Sequence, residues 1–531
     1  MAKPVSFGEH VFKNLALIGL SILFVPLTTP IVLACLVWQA AGPLVLRRHH
    51  RQRPGSRRKT VLVSSLAMGK GLSLARAFHL AGNRVIGIDF DATHFVHSPV
   101  PSSGRFSNAL AKYYVVTTPR DDRSRARYAA EMLDLVKKEG VDLWVCVSGV
   151  ASTVEDALLK DTIEKETQCR VFQPDPQTCR VLHDKHEFIR AVEGAGLPRP
   201  KTVLVESHGD VFRVLQEHPG TSFILKCVGL DDASRADMTQ LPRPTDYDTV
   251  RFVCGLEISS TRRWVAQEFI GGAEFCTHAV VVRGEVQAFV ACPSSEMLMH
   301  YEPLPAESRP SRAMLAFTRR LIRTLEGGRM TGQVSFDFLA DAERGNGGGG
   351  GGREGEGEKE GPKDVELYPI ECNPRTHTAV ILLAQQQPQG LSNAYLSLLD
   401  EPKLPCSKAR GKKREGRTFD DFDAPTVGVR PFSTESGKPR FYWIGHDFVV
   451  HVALPLLQLM ALKMGPLQCA RSVFWFLVRV AGWKDATFEA WDPLPWWWLY
   501  HVYYPWLCIT SLATGKRWSR INTSTTNVFE A

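Results

Sequence analysis

The feature that most restricts this chain is the stretch 14–46, NLALIGLSILFVPLTTPIVLACLVWQAAGPLVL, which carries no charged residue. A helix needs about 20 apolar residues to cross the hydrocarbon of a bilayer, so this run is long enough to span. Pro26 and Pro30 divide it into two halves, which leaves a single kinked span and a re-entrant hairpin both open. Seven Lys/Arg follow within residues 47–59, whereas only Lys3 and Lys13 precede the run. That asymmetry predicts a membrane anchor whose trailing side, and the rest of the chain with it, faces the cytosol. A pair of buried core helices is the competing reading, and the basic block abutting the run counts against it. A cleaved signal peptide is not expected, because the run is too long and no small-residue site closes it.

The formal net charge of +8 is local rather than general. The tract 47–59 and the tract 403–417 each hold seven Lys/Arg, and the remainder is close to neutral. With no zinc finger, aromatic RNA-binding signature or basic zipper, nucleic acid is not an expected partner. The 12 cysteines contain no Cys-x-x-Cys pair and lie in apolar strands such as those of Cys146, Cys227 and Cys372, as in a protein kept reduced.

From Lys59 the pattern alternates: KTVLVSSL, an amphipathic helix ending near Gly82, RVIGIDFD, YYVVTTP, a helix over about 124–139, then VDLWVCVSGV. Strands alternating with helices predict a parallel sheet covered on both faces, a Rossmann-like unit over residues 59–180. Two nucleotide motifs fail here. A P-loop lacks Gly at Ser64 and a hydroxyl at Gly71, and a dinucleotide fingerprint lacks its third glycine at Leu74. The turn Met68-Gly69-Lys70 either faces a substrate or is a plain turn. Beyond residue 180 the chain becomes strand-rich. Residues 343–364, with six consecutive glycines at 347–352, interrupt a hairpin and cannot bury apolar surface. The expected divisions are an anchor with its basic flank (1–58), the Rossmann-like unit (59–180), a catalytic unit (181–395), a basic linker (396–440) and an aromatic-rich helical region (441–531).

The interrupted hairpin concentrates chemistry. In TGQVSFDF, Gln333, Ser335 and Asp337 share one face and Val334, Phe336 and Phe338 the other; in YPIECNPR, Glu371, Asn373 and Arg375 share a face. Side by side, the strands present Asp337, Glu371 and Asn373 as an all-oxygen set suited to Mg²⁺ between phosphates, with Mn²⁺ as a substitute. Arg375 and His377 add positive charge and donors for a transferring phosphoryl group. A solvated polar strand face is the alternative. In WVAQEFIGGAEF, Gln267, Glu268, Phe269 and Ile270 read as a hinge that lines an adenine pocket, and Glu274 as an acceptor from ribose hydroxyls. His278, on the face of Glu274 and Cys276, reads better as a core histidine. Lys185, in a helix, and Lys226, ending FILKCV, can hold ATP phosphate oxygens as point charges.

These residues stand in the order of the ATP-grasp superfamily, and residues of about 180–390 resemble D-alanine–D-alanine ligase, biotin carboxylase and carbamoyl-phosphate synthase. One departure is the stretch VGLDDASRADMTQLP after Lys226, where those families carry a Gly/Ser-rich loop. That stretch, with RAFHLAGNRVI, QEFIGGAEFCTH, IECNPRTH, FYWIGHD and DPLPWWWLYH, is similar to the mycosporine-glycine synthase type. The resemblance implies an α/β fold, α+β in the core: a Rossmann-like pre-ATP-grasp domain followed by a two-lobed ATP-grasp domain, behind a membrane segment. It implies an ATP- and Mg²⁺-dependent ligase that phosphorylates an enol or carboxylate oxygen of a small acidic substrate and couples it to an amino acid. In the narrower family these are 4-deoxygadusol and glycine. An amide-forming carboxylate–amine ligase and a nucleotide-binding scaffold without catalysis share the motif set. A homodimer is left open.

Overall fold

The computed structural model describes residues 6–41, 58–91, 100–147, 149, 152–228, 237–294, 299–341, 366–400, 431, 433, 440–522 and 527–530. The glycine-rich insert 343–364, the basic tract 403–417, nearly all of the tract 47–59 and residues 229–236 of the departing stretch lie outside them.

The first unit is built on a five-stranded parallel sheet in the order β3-β2-β1-β4-β5, with β1 at Thr60–Ser64, β2 at Arg84–Phe90, β3 at Lys112–Val116, β4 at Leu143–Val145 and β5 at Arg170–Phe172. Successive residues of β1 serve opposite cores, as a sheet covered on both faces requires. Val61 and Val63 join Leu74, Phe78 and the helix Val380–Gln386, while Leu62 joins Tyr128, Met132 and Ile163. The helix Asp122–Glu139 starts on a capping box of Asp121 and Ser124 and ends on Gly140 in the left-handed region. The helix Gly69–Leu80 explains the glycines that mimic a nucleotide motif. A Cβ on Gly71 would meet Ser65 O at 2.4 Å, so glycine here lets the helix approach the strand.

Two antiparallel sheets follow. The smaller has the order β6-β8-β7, with β6 at Thr202–Val205, β7 at Phe223–Cys227 and β8 at Trp264–Glu268. The larger has the order β10-β9-β11-β12, with β9 at Ala273–Val282, β10 at Glu285–Pro293, β11 at Gly332–Asp341 and β12 at Glu366–Asn373. Residues 269–272 link β8 to β9, so the stretch read as a hinge does pass from one sheet to the other. On β11, Val334, Phe336 and Phe338 sink into a core with the helix Arg309–Ile322, and the opposite face is left for polar groups. Leu367 and Cys372 of β12 enter that same core despite odd spacing. The register between β11 and β12 slips at Asp337/Phe338, where Ile370 is the extra residue of a bulge.

The C-terminal region turns back onto the first unit. Phe441 and Trp443 enter the core of the parallel sheet, and β13 (Phe441–Tyr442) pairs with β14 (Lys484–Asp485). Buried Arg76 donates to Asp492 Oδ2 at 2.8 Å, and the same carboxylate accepts from Ser107 Oγ and Asn108 N. The apolar N-terminal run forms one helix, Phe7–Ala41, with Pro26 and Pro30 inside it. The re-entrant alternative is therefore corrected to a single helix, about 50 Å long at 1.5 Å per residue. Contacts on both sides of Pro26 hold it to the aromatic C-terminal segment: Ser21 and Thr28 on His501, Trp497 on Thr29, Trp518 on Asn14. By length and composition it could cross a membrane.

Candidate active site

The polar face of β11 and β12 meets the small sheet and the C-terminal edge of the parallel sheet. Asp337 stands directly opposite Glu371, and Ser335 opposite Asn373. Asn373 Nδ2 donates to Asp337 Oδ2 at 3.3 Å, and Arg375 donates to Asn373 Oδ1 at 2.5 Å. Asp337 Oδ1 is enclosed and has no hydrogen-bond partner among the described residues. Burial, then the like charges of Glu371 and Glu274, push the Asp337 carboxyl well above the usual carboxylate range. An enclosed carboxylate oxygen without a donor, facing a second carboxylate, is the environment that a divalent cation relieves. The donor set of Asp337, Glu371 and Asn373 therefore fits Mg²⁺.

Across from these acids stands Lys226, on β7. Its Nζ donates to Gln267 Oε1 at 2.8 Å, and Gln267 Nε2 reaches Thr202 Oγ1. Burial and the neighbouring charge of Lys185 lower Lys226 to about 8, opposed by Glu371, Glu274 and Asp337. The five charged groups thus share one field although they come from five separate elements. Lys185 opens the helix Lys185–Gly194, where Asp184 accepts from the N–H groups of His186 and Glu187.

In the hinge, two backbone N–H groups are already bonded within the protein. The N–H of Glu268 donates to Lys201 O and that of Phe269 to Ser222 O, while the Glu268 carboxylate accepts from Lys201 N. Those two N–H groups are committed within the small sheet. Ile270 is buried, and Glu274 is exposed at the start of β9.

Three further polar groups lie nearby: Lys70, which the sequence left open, His278, read there as a core histidine, and Ser335, placed on the face of Asp337. Lys70, in the first turn after β1, is buried and donates from Nζ to Thr376 O at 2.6 Å. Burial, and secondarily the charge of Arg375, lower it to about 7. His278 is fully buried; its Nδ1 accepts from His377 N at 3.4 Å, and its Nε2 has no partner among the described residues. Ser335 Oγ is likewise enclosed and unpartnered among them. Burial and the charges of Lys70 and Arg375 hold His377 down at about 3, so both imidazoles are neutral near pH 7. The available signal was the place of Lys70: a lysine in the first turn of a parallel sheet sits at the edge where ligands bind. Gln333 departs from its strand neighbours. It bolts the two units together, donating to Cys146 O at 3.0 Å and accepting from Thr376 Oγ1 and Tyr395 OH, each at 2.6 Å.

No family model and no curated protein matches the chain. Among solved structures it is similar to N5-carboxyaminoimidazole ribonucleotide synthetase from Thermus thermophilus, at 16% identity over 65% of this chain and 79% of that one, with a TM-score of 0.43. The L-amino acid ligase from Bacillus licheniformis matches at 13% identity over 64% and 75%, also with a TM-score of 0.43. The MgADP-bound biotin carboxylase domain of Hydrogenobacter thermophilus 2-oxoglutarate carboxylase matches at 13% over 64% and 69%, again with 0.43.

Proposed function

We propose that this chain is an ATP-grasp ligase that phosphorylates an oxygen of a small acidic substrate and lets an amine displace the phosphate. The observation that carries the reading is the pairing of Asp337 with Glu371, locked by Asn373 and faced by Lys226 within one field. Asp337, Glu371 and Asn373 would hold Mg²⁺, which supplies positive charge between the phosphates of ATP. Lys226 and Lys185 offer N–H donors to phosphate oxygens. Arg375, steadied by Asn373, offers its guanidinium to the group in transfer.

The substrate side is cationic and largely closed to water. Arg375 favours an anionic enol or carboxylate, with Lys70, Ser335 and His278 as further polar partners. The substrate oxygen attacks the γ-phosphorus and ADP leaves. The amine nitrogen then adds to the activated carbon, the carbon–oxygen bond breaks and phosphate departs. With a pKa of about 7, Lys70 is available to take the proton that the amine nitrogen must lose. Positioning and charge carry most of the rate enhancement.

In the narrower reading the acid is 4-deoxygadusol, whose enol oxygen behaves as a vinylogous carboxylate, and the amine is glycine. The product is mycosporine-glycine. The test is incubation of the purified protein with ATP, Mg²⁺, 4-deoxygadusol and a panel of amino acids, following ADP and ultraviolet absorbance. ADP release with a glycine-dependent chromophore supports the reading. ADP release that follows simple carboxylates instead moves the protein to the amide-forming ligases. We also propose that the helix Phe7–Ala41 anchors the chain in a membrane with the catalytic part on the cytosolic side. The basic tract at 47–59, which trails the helix, supports this orientation.

A further inference from the structure

Two helices near the C-terminus, Ile444–Met460 and Pro466–Gly482, form a hairpin whose polarity is inside out. On Pro466–Gly482, Leu467, Phe474, Trp475, Leu477 and Val478 are exposed, recurring at the three- and four-residue spacing that defines one helix face. The face turned to the protein carries one of the helix's two charges. Arg479 donates to Asp447 Oδ2 at 2.8 Å, and Asp447 Oδ1 also takes His300 Nε2 at 2.7 Å. A helix facing water would be arranged the other way round. The partner helix repeats the pattern with Leu454, Leu456, Leu457 and Met460 exposed, and Leu462 in the connecting turn is 93% exposed.

We propose that this hairpin is a monotopic docking surface that lies flat in the headgroup region of an anionic phospholipid membrane. Charge complementarity favours lipid over a second protein. From Phe448 to Lys484 the chain has no acidic residue, while Lys463 and Arg471 are exposed beside the apolar face. Both can reach lipid phosphates while their stems lie along the apolar surface. Each helix is shorter than the roughly 20 residues a span requires, and β13 and β14 clamp the two ends of the hairpin side by side. The hairpin therefore enters one face of a membrane and does not cross it. It is also continuous with the N-terminal helix: Phe24 meets Phe448 at 4.9 Å between ring centroids, and Phe448 meets Phe476 at 5.7 Å. The proposal extends the anchoring reading of Phe7–Ala41 but depends on neither that reading nor the ligase reading.

The test uses the full chain in vesicles of phosphatidylcholine with about 30% phosphatidylserine, made with or without brominated acyl chains. Bromine quenches the fluorescence of tryptophans that touch lipid. The conservative Trp475→Phe change should remove part of the quenched emission. In parallel, a Phe474→Glu/Leu477→Glu double variant, altered only at exposed positions, should need at least about tenfold more lipid for half-binding. Quenching that is identical in wild type and Trp475→Phe would overturn the proposal and leave Phe7–Ala41 as the lipid contact. A lipid-free dimer that the double variant dissociates, with no Trp475 quenching, would also overturn it and assign the face to a second copy.

Discussion

Strand β11 and the helix Pro466–Gly482 handle the same problem in opposite ways. Each has an apolar face and a polar face. On β11 the apolar residues Val334, Phe336 and Phe338 go into a core and the polar residues line a cleft. On the helix the apolar residues go outward, and Arg479 goes inward to a buried aspartate. The comparison teaches that amphipathic pattern assigns residues to faces but does not say which face meets water. The polar face of β11 is enclosed because acids and lysines from other elements converge on it. The apolar face of the helix is open because the β13/β14 clamp and Asp447 hold its polar side against the body.

The largest expected effect breaks the β11 side of that comparison. Asp337→Asn should lower ADP release by about 10³-fold or more, since it removes a carboxylate that the metal and phosphates require. Its metal-free melting temperature should nevertheless rise. The Asp337 carboxyl titrates above its unfolded value, so at neutral pH folding bears the cost of either protonating it or holding it ionised, and Asn carries neither cost. Lost activity with a raised melting temperature separates a functional acid from a structural one.

Lys70→Met comes next, with an expected loss of about 10²-fold in turnover, as for loss of a general base. It also carries a pH signature. Folding lowers Lys70 from the ordinary lysine range to about 7, so between about 7 and the unfolded lysine value the unfolded chain binds more protons. Stability should therefore rise with pH through that window. The rise should be shallower in Lys70→Met, and thermal melts from about pH 6.5 to 10 on both proteins check it. Lys226, lowered to about 8, contributes the same sign in both.

Asp447→Asn tests the outer region alone. It leaves Arg479 facing a neutral amide, and breaking a buried pair costs about 3–5 kcal/mol. The melting temperature should fall by several degrees while turnover in detergent stays near wild type, because Asp447 touches no group of the site. The smallest effect is expected from deleting residues 345–361 and closing the hairpin with a short turn. The ladder already closes at Asp341↔Glu366, and loop length changes closure entropy only slowly, so turnover should stay within about twofold.

Much of this was decided by the sequence alone. The alternation of strands and helices after Lys59 dictates a parallel sheet because β1 can bury both faces only between helices. The two-residue period of β11 and the Glu-x-Asn-Pro-Arg run put Asp337, Glu371 and Asn373 on polar faces, since side-chain direction along a strand is a local property. Other features were not legible, because they depend on contacts between residues hundreds of positions apart. Pro26 and Pro30 do not reveal whether the apolar run bends back; contacts with His501 and Trp497 hold it as one helix. The Met68-Gly69-Lys70 turn does not disclose that Lys70 will lie buried against Thr376 and beside Arg375, which lowers its proton affinity. Nor does the spacing of Pro466–Gly482 say that its apolar stripe faces out, because that was decided by where Asp447, itself bonded to His300, met Arg479. Local pattern determines which residues share a face, and tertiary packing decides what that face meets.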